Sequence, residues 1–194
     1  MKKLGLFLSF IFPLMLLLSC GKEEDPIPQT QGNLKFKVDG KWIEYAAGNQ
    51  LMGFALDPSG PMYLATASIL GNPVDGTKNF LSISVRNESN FQTGIDYQMQ
   101  DLITYKGAPM VRILLTYSDE IGQLYNAVLV QQTIPGLKVT DDATLRFTKI
   151  DSKWVEGTFS GVLLGPISSL TGRGNTELLI TEGQFSLPML SSIP

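Results

Sequence analysis

A lone cysteine, two adjacent acid pairs and one tryptophan are the residues of this chain whose types and spacing could do chemistry. Cys20, the single cysteine, follows Leu17-Leu18-Ser19. An aliphatic residue three positions before it and a small one directly before it suit acylation of the sulfur and cleavage between Ser19 and Cys20. Asp119-Glu120 and Asp141-Asp142 are neighbouring carboxylates. Two carboxylates about 5 to 9 Å apart can hydrolyse a glycosidic bond. Both pairs lie beside expected turns, however, where adjacent acids cap and solvate the backbone. Neither shows the spacing of a calcium loop. The chain contains no histidine, which removes His-dependent serine and cysteine triads and His-based zinc sites together. No catalytic residue, cofactor site or metal site is therefore expected. Trp42 and its neighbour Lys37 are the candidate ligand contacts. An indole face can stack a sugar ring or anchor a protein partner, unless a second layer or the N-terminal segment covers it.

The segment before Cys20 explains why a thiol stands there. Lys2 and Lys3 precede an apolar run over residues 4–18. As a helix that run reaches about 22 Å, short of a hydrocarbon core of about 30 Å. It reads as an export signal covering residues 1–19, removed on maturation. A conventional signal peptide would leave Cys20 as the sole thiol of an exported protein in an oxidising compartment. Lipidation accounts for it directly, and two acyl chains such as palmitate anchor stably where one is marginal. Removing residues 1–19 takes two of the 15 basic residues and none of the 18 acidic ones, so the formal charge moves from −3 to about −5. No basic patch stands out, so neither nucleic acid nor anionic headgroups are expected partners.

Residues 20–32 are polar, with Pro26 and Pro28, and read as a lipidated tether able to span ~40 Å. Residues 33–194 then form one domain. Leu34, Phe36 and Val38 alternate with Lys35, Lys37 and Asp39, a strand with one dry face. Asp39-Gly40 is a hairpin signal, because a type I′ turn needs positive φ at both central residues. A two-residue loop sets Val38 opposite Lys41, Phe36 opposite Ile43 and Leu34 opposite Tyr45. On the other face Lys37 meets Trp42, and Lys35 meets Glu44 as an ion pair. Further strands are expected over residues 62–70, 81–86, 111–117, 127–130, 145–148, 155–164 and 178–185. Residues 165–175, rich in Gly and Ser, read as a mobile loop. Arg112, within an apolar stretch, is expected on the wet face of its strand, the alternative being a pair with a buried carboxylate. No sustained helical period follows residue 32, so the fold class is all-β: an antiparallel sandwich or barrel-like meander of about eight to ten strands.

Lys22-Glu23-Glu24-Asp25 behind the cysteine resembles the export signal of surface lipoproteins of Bacteroidota. The hairpin Phe36-Lys37-Val38-Asp39-Gly40-Lys41-Trp42 is similar to the start of an all-β domain of unknown function found in such lipoproteins. Phe147 to Asp151, Glu156 to Ser160 and Ile180 to Phe185 resemble its closing strands. The resemblance implies a lipoprotein anchored in the outer membrane through Cys20 and displayed at the cell surface, the alternative being a periplasm-facing location. It transfers no catalytic residues. The expected function is binding of a glycan or an envelope protein. A carboxylate-dependent hydrolase and a purely structural envelope protein are the rivals.

Overall fold

The computed structural model describes residues 32–46, 52–57, 62–129 and 141–190. The export segment, Ser19, Cys20 and the charged stretch behind them lie outside the described residues, as does the part of the expected strand 127–130 at position 130.

The first hairpin adopts the register its alternation requires. β1 (Asn33–Val38) and β2 (Lys41–Ala46) pair with Val38 opposite Lys41, Lys37 opposite Trp42, Phe36 opposite Ile43 and Leu34 opposite Tyr45. Asp39 and Gly40 have φ of 46° and 82°, the left-handed pair of a type I′ turn, whose twist matches that of the strands. Leu34 and Phe36 are fully buried.

Eleven more strands follow: β3 (Met52–Asp57), β4 (Tyr63–Asp75), β5 (Lys78–Asn87), β6 (Asp96–Gln98), β7 (Ile103–Tyr105), β8 (Ala108–Met110), β9 (Ile113–Ser118), β10 (Leu124–Ala127), β11 (Asp142–Ile150), β12 (Trp154–Ser168) and β13 (Gly172–Leu190). The fold is all-β. The thirteen strands among the described residues exceed the expected eight to ten: β6, β7 and β8 have three residues each, too few for alternation to register in a sequence, and β3 lies outside the expected segments. β7 and β8 form a separate small hairpin. The others are joined without a break in the order β2-β1-β13-β3-β4-β5-β9-β10-β12-β11-β6, and β12 also pairs with β13.

That extra pairing folds the sheet into two layers. One is β2-β1-β13-β12-β11-β6 and the other is β3-β4-β5-β9-β10. They join at two corners, where Met189 and Leu190 pair in parallel with Phe54 and Ala55 and where Asn126 pairs with Leu164. Aromatic rings bridge the layers: Phe36 meets Tyr117 edge-on at 5.7 Å, and Phe54 meets Phe185 at 5.3 Å and Phe147 at 5.7 Å. The architecture is a sandwich closed in barrel fashion.

Residues 165–175 are not a loop. β12 runs through to Ser168 and β13 starts at Gly172, so the segment is the end of the longest hairpin, with Leu170 exposed at its tip. Two of its glycines serve close packing: a Cβ on Gly174 would sit 2.5 Å from the Gly165 carbonyl oxygen, and one on Gly165 would sit 2.6 Å from the Tyr125 ring.

Candidate functional site

Trp42 is 53% exposed, so no second layer among the described residues covers it. The Lys37 ammonium lies over its ring at 4.9 Å from the centroid. Lys35, expected to pair with Glu44, instead places its ammonium 5.9 Å from the same ring. The diagonal neighbour on a pleated face is within reach of a long side chain, and the indole competes for it with the carboxylate directly opposite.

Lys37 connects the tryptophan to β13. Its ammonium donates to the Glu182 carboxylate at 2.6 Å. Glu182 sits at a bulge. Lys35 faces Gln184 and Lys37 faces Thr181, so β13 carries one residue more than β1 over this stretch. The same surplus appears against β12, where Phe159 faces Gly183 and Gly161 faces Ile180. Glu182 takes up the extra residue with a φ of 52°, a left-handed conformation that costs a non-glycine residue about 1–2 kcal/mol. The exposed ion pair to Lys37 returns only ~0–1 kcal/mol of that. Gly183 makes the bulge packable, because a Cβ there would run into the Phe159 carbonyl and lie 2.6 Å from its ring.

Beyond the bulge the outward side chains form a continuous polar row. Gln184 faces Thr158, Thr158 faces Arg146, and Arg146 faces Asp96. Arg146 donates to Asp96 at 3.1 Å. In the next row Ser160 faces Thr144, which faces Gln98. The short hydroxyl side chains of β11 and β12 make a floor, and Glu182, Gln184 and Arg146 stand around it. The result is an open trough of about 300 Å³. Alternation in the first hairpin places Trp42 and Lys37 on this outer face and does not reach the rest. Alternation within β11 and β12 marks Thr144, Arg146, Thr158 and Ser160 as outward. Their assembly with Asp96 and Glu182 depends on the β6–β11 pairing and the bulge, neither of which has a local signal.

The acid pairs lie elsewhere. Asp119 caps its turn as expected, its Oδ1 accepting from Ile121 N at 3.0 Å and Gln123 N at 2.8 Å. Asp141 does not solvate a turn. Its side chain is 2% exposed, and one oxygen accepts from Val128 N at 2.7 Å, Leu129 N at 2.9 Å and Arg173 Nη2 at 2.5 Å. Arg173 also donates to the Asn126 carbonyl at 2.5 Å. A carboxylate buried this deeply needs such partners, and here they tie the β10 corner to the β12–β13 hairpin. Asp142 accepts from its neighbour Ala143 N at 2.9 Å.

Arg112 is not on the wet face of a strand. It precedes β9, is largely buried, and lies 3.7 Å from the exposed carboxylate of Asp101. Trp154 is half-buried, its indole nitrogen donating to Ser186 Oγ at 2.7 Å. Asp151 organises the adjoining turn. The backbone amides of Lys153 and Trp154, with the Lys149 ammonium, hold its carboxyl below the usual range. Among the described residues no three His, Cys, Asp or Glu side chains converge to hold a metal ion.

No protein-family model, curated protein or solved structure matches the chain.

Proposed function

We propose that the chain is a lipid-anchored binding module of the bacterial cell envelope, cleaved between Ser19 and Cys20, tethered through acyl chains on Cys20 and displayed at the outer-membrane surface in the manner of Bacteroidota lipoproteins. The ligand, a glycan or an envelope protein, seats on the outer face of the six-stranded layer. The observation that carries this reading is the continuity from exposed Trp42 through Lys37 and Glu182 into the polar trough.

Two carboxylates, Asp96 and Glu182, border that trough, so hydrolysis is the natural rival. Their strands are separated by β11 and β12, three inter-strand spacings or roughly 14 Å. Glu182 turns toward Lys37 on β1, away from the trough floor, while Asp96 turns toward Arg146. A carboxylate pair for glycoside hydrolysis stands about 5 to 9 Å apart around the bond. The arrangement favours holding a ligand over cleaving it.

The tether enters the fold beside Ser186, opposite Asn33. Cys20→Ala should abolish radioactive palmitate labelling and release the protein from washed membranes. Retention of the variant through detergent-free washes would remove the anchor from the account. Replacing Lys22, Glu23, Glu24 and Asp25 by alanine should preserve labelling but protect the domain from protease added to whole cells. Unchanged proteolysis would strip that stretch of its role in surface display.

A further inference from the structure

We infer that the trough beside Trp42 binds a neutral polysaccharide, an assignment that rests on the binding-module reading above. Two cations beside the trough already have anions, and a third, Lys35, turns to the Trp42 ring. Arg146 is held by Asp96 at 3.1 Å and Lys37 by Glu182 at 2.6 Å. Such a surface offers strong dipoles and little net field. It suits hydroxyl groups and serves poorly for a polyanion, which calls for unpaired Arg or Lys.

The floor and walls add the right hydrogen-bonding capacity. Thr144, Thr158 and Ser160 each donate and accept through one oxygen, and Gln184 presents a carbonyl beside an amide. A sugar hydroxyl needs both roles from its neighbours. Of the large hydrophobic side chains exposed among the described residues, only Trp42 is aromatic, and Lys37 and Glu182 link it to this polar row. A protein-binding hot spot would instead cluster several apolar anchors in a desolvated centre. One flat ring next to paired charges and hydroxyls matches the two surfaces of a sugar, an apolar face of C–H groups and a rim of hydroxyls. The bulge that places Glu182 in a left-handed conformation keeps its carboxylate on Lys37 rather than across the floor, which leaves the trough open along its length.

The test uses the full-length protein in a polyoxyethylene detergent, whose headgroup carries no sugar to compete. The protein is run through native gels containing galactomannan, xyloglucan, mixed-linkage β-glucan, soluble starch or, as the acidic control, polygalacturonate. At least one neutral polysaccharide should retard it and polygalacturonate should not. Trp42→Ala should weaken that retardation about tenfold or more, Trp42→Phe should restore much of it, and neither should move the thermal midpoint appreciably. No retardation in any neutral gel, or retardation indifferent to Trp42→Ala, overturns the assignment. A photo-crosslinking side chain introduced as Trp42→benzoylphenylalanine on living cells separates the two levels. A single envelope-protein adduct with no neutral-polysaccharide binding refutes the glycan assignment while the binding module stands. Neither adduct nor retardation refutes both.

Discussion

The two outer faces of this sandwich rest on one core and differ in almost everything else. On the five-stranded layer, Ser84 faces Thr66 and Leu114, and Ser82 faces Ser68 and Thr116. Apart from Leu114 these side chains are short, and all but the exposed Ser68 are half-buried. On the six-stranded layer, Glu182, Gln184, Arg146 and Asp96 surround a floor of short hydroxyls, and Lys37 links Glu182 to Trp42. Relief is what separates the two. A row of Ser and Thr flanked by Leu64 and Leu114 satisfies a sheet surface and offers less to grip. A bulge, an indole and two ion pairs make a surface with depth and direction. The faces share a core, so substitutions can be sorted by whether they disturb both layers, their junction, or one face alone.

The largest effect should come from the shared core. Phe36 is fully buried and packs against Tyr45 and Phe159 from its own layer and Tyr117 from the other, with ring centroids 6.0, 5.8 and 5.7 Å away. Phe36→Ala should cost about 3–5 kcal/mol, measured by denaturant unfolding. The layers should lose structure in one transition. Two separated transitions would mean that they are independent units.

Next is the corner. Asp141→Asn leaves Arg173 buried beside a neutral group, and breaking a buried pair in this way costs on the order of 3 kcal/mol. Chemical denaturation reads it. A loss below ~1 kcal/mol would show that the two backbone amides, and not the ion pair, hold the junction.

A third prediction concerns high pH. Burial, followed by the neighbouring Asp119 charge, pushes the Tyr117 hydroxyl up from 10.0 to about 12. Burial raises Tyr45 in the same direction, with Tyr117 adding to it. The folded state keeps these protons after the unfolded chain has released them, so the unfolded chain binds fewer protons and stability falls as pH rises. Thermal midpoints should hold up to about pH 10 and decline between pH 10 and 12. Tyr117→Phe should flatten part of that decline. An unchanged profile in that variant would assign the decline elsewhere.

Smaller still is the bulge. Glu182→Gly relieves the positive φ while giving up a weak exposed ion pair, so stability should change by less than about 1 kcal/mol in chemical denaturation. Retardation in the neutral polysaccharide gels should nevertheless weaken, because Lys37 is freed from its position beside Trp42. A large destabilisation would make Glu182 a structural residue of the sandwich.

What was legible in the sequence follows the same division. The first hairpin could be read residue by residue, because a two-residue turn fixes register and strict alternation assigns the faces. Trp42 and Lys37 came with it. The β12–β13 hairpin was misread past residue 164 because glycine and proline there look like punctuation, whereas Gly165 and Gly174 bring backbones together within strands. Asp141 was misread because a neighbouring acid and a threonine suggest a turn. Its partner Arg173 lies in a different hairpin, and no local pattern links the two. The trough was invisible for a similar reason. It depends on which strands become neighbours and on one surplus residue at Glu182 that slips β13 against both β1 and β12. Local alternation reports a side chain's face but not its neighbours.

The central claim is that ligand is held by the sculpted face and not by the other, and blocking each face in turn tests it most directly. Thr158→Tyr fills the trough floor from an exposed strand position, and Ser84→Tyr places the same bulk on the other layer. Both full-length variants would be compared with the parent in the polysaccharide gels that retard it, after thermal midpoints confirm that each is folded. Thr158→Tyr should abolish the retardation and Ser84→Tyr should leave it intact. Retardation that survives Thr158→Tyr and disappears in Ser84→Tyr would contradict the account.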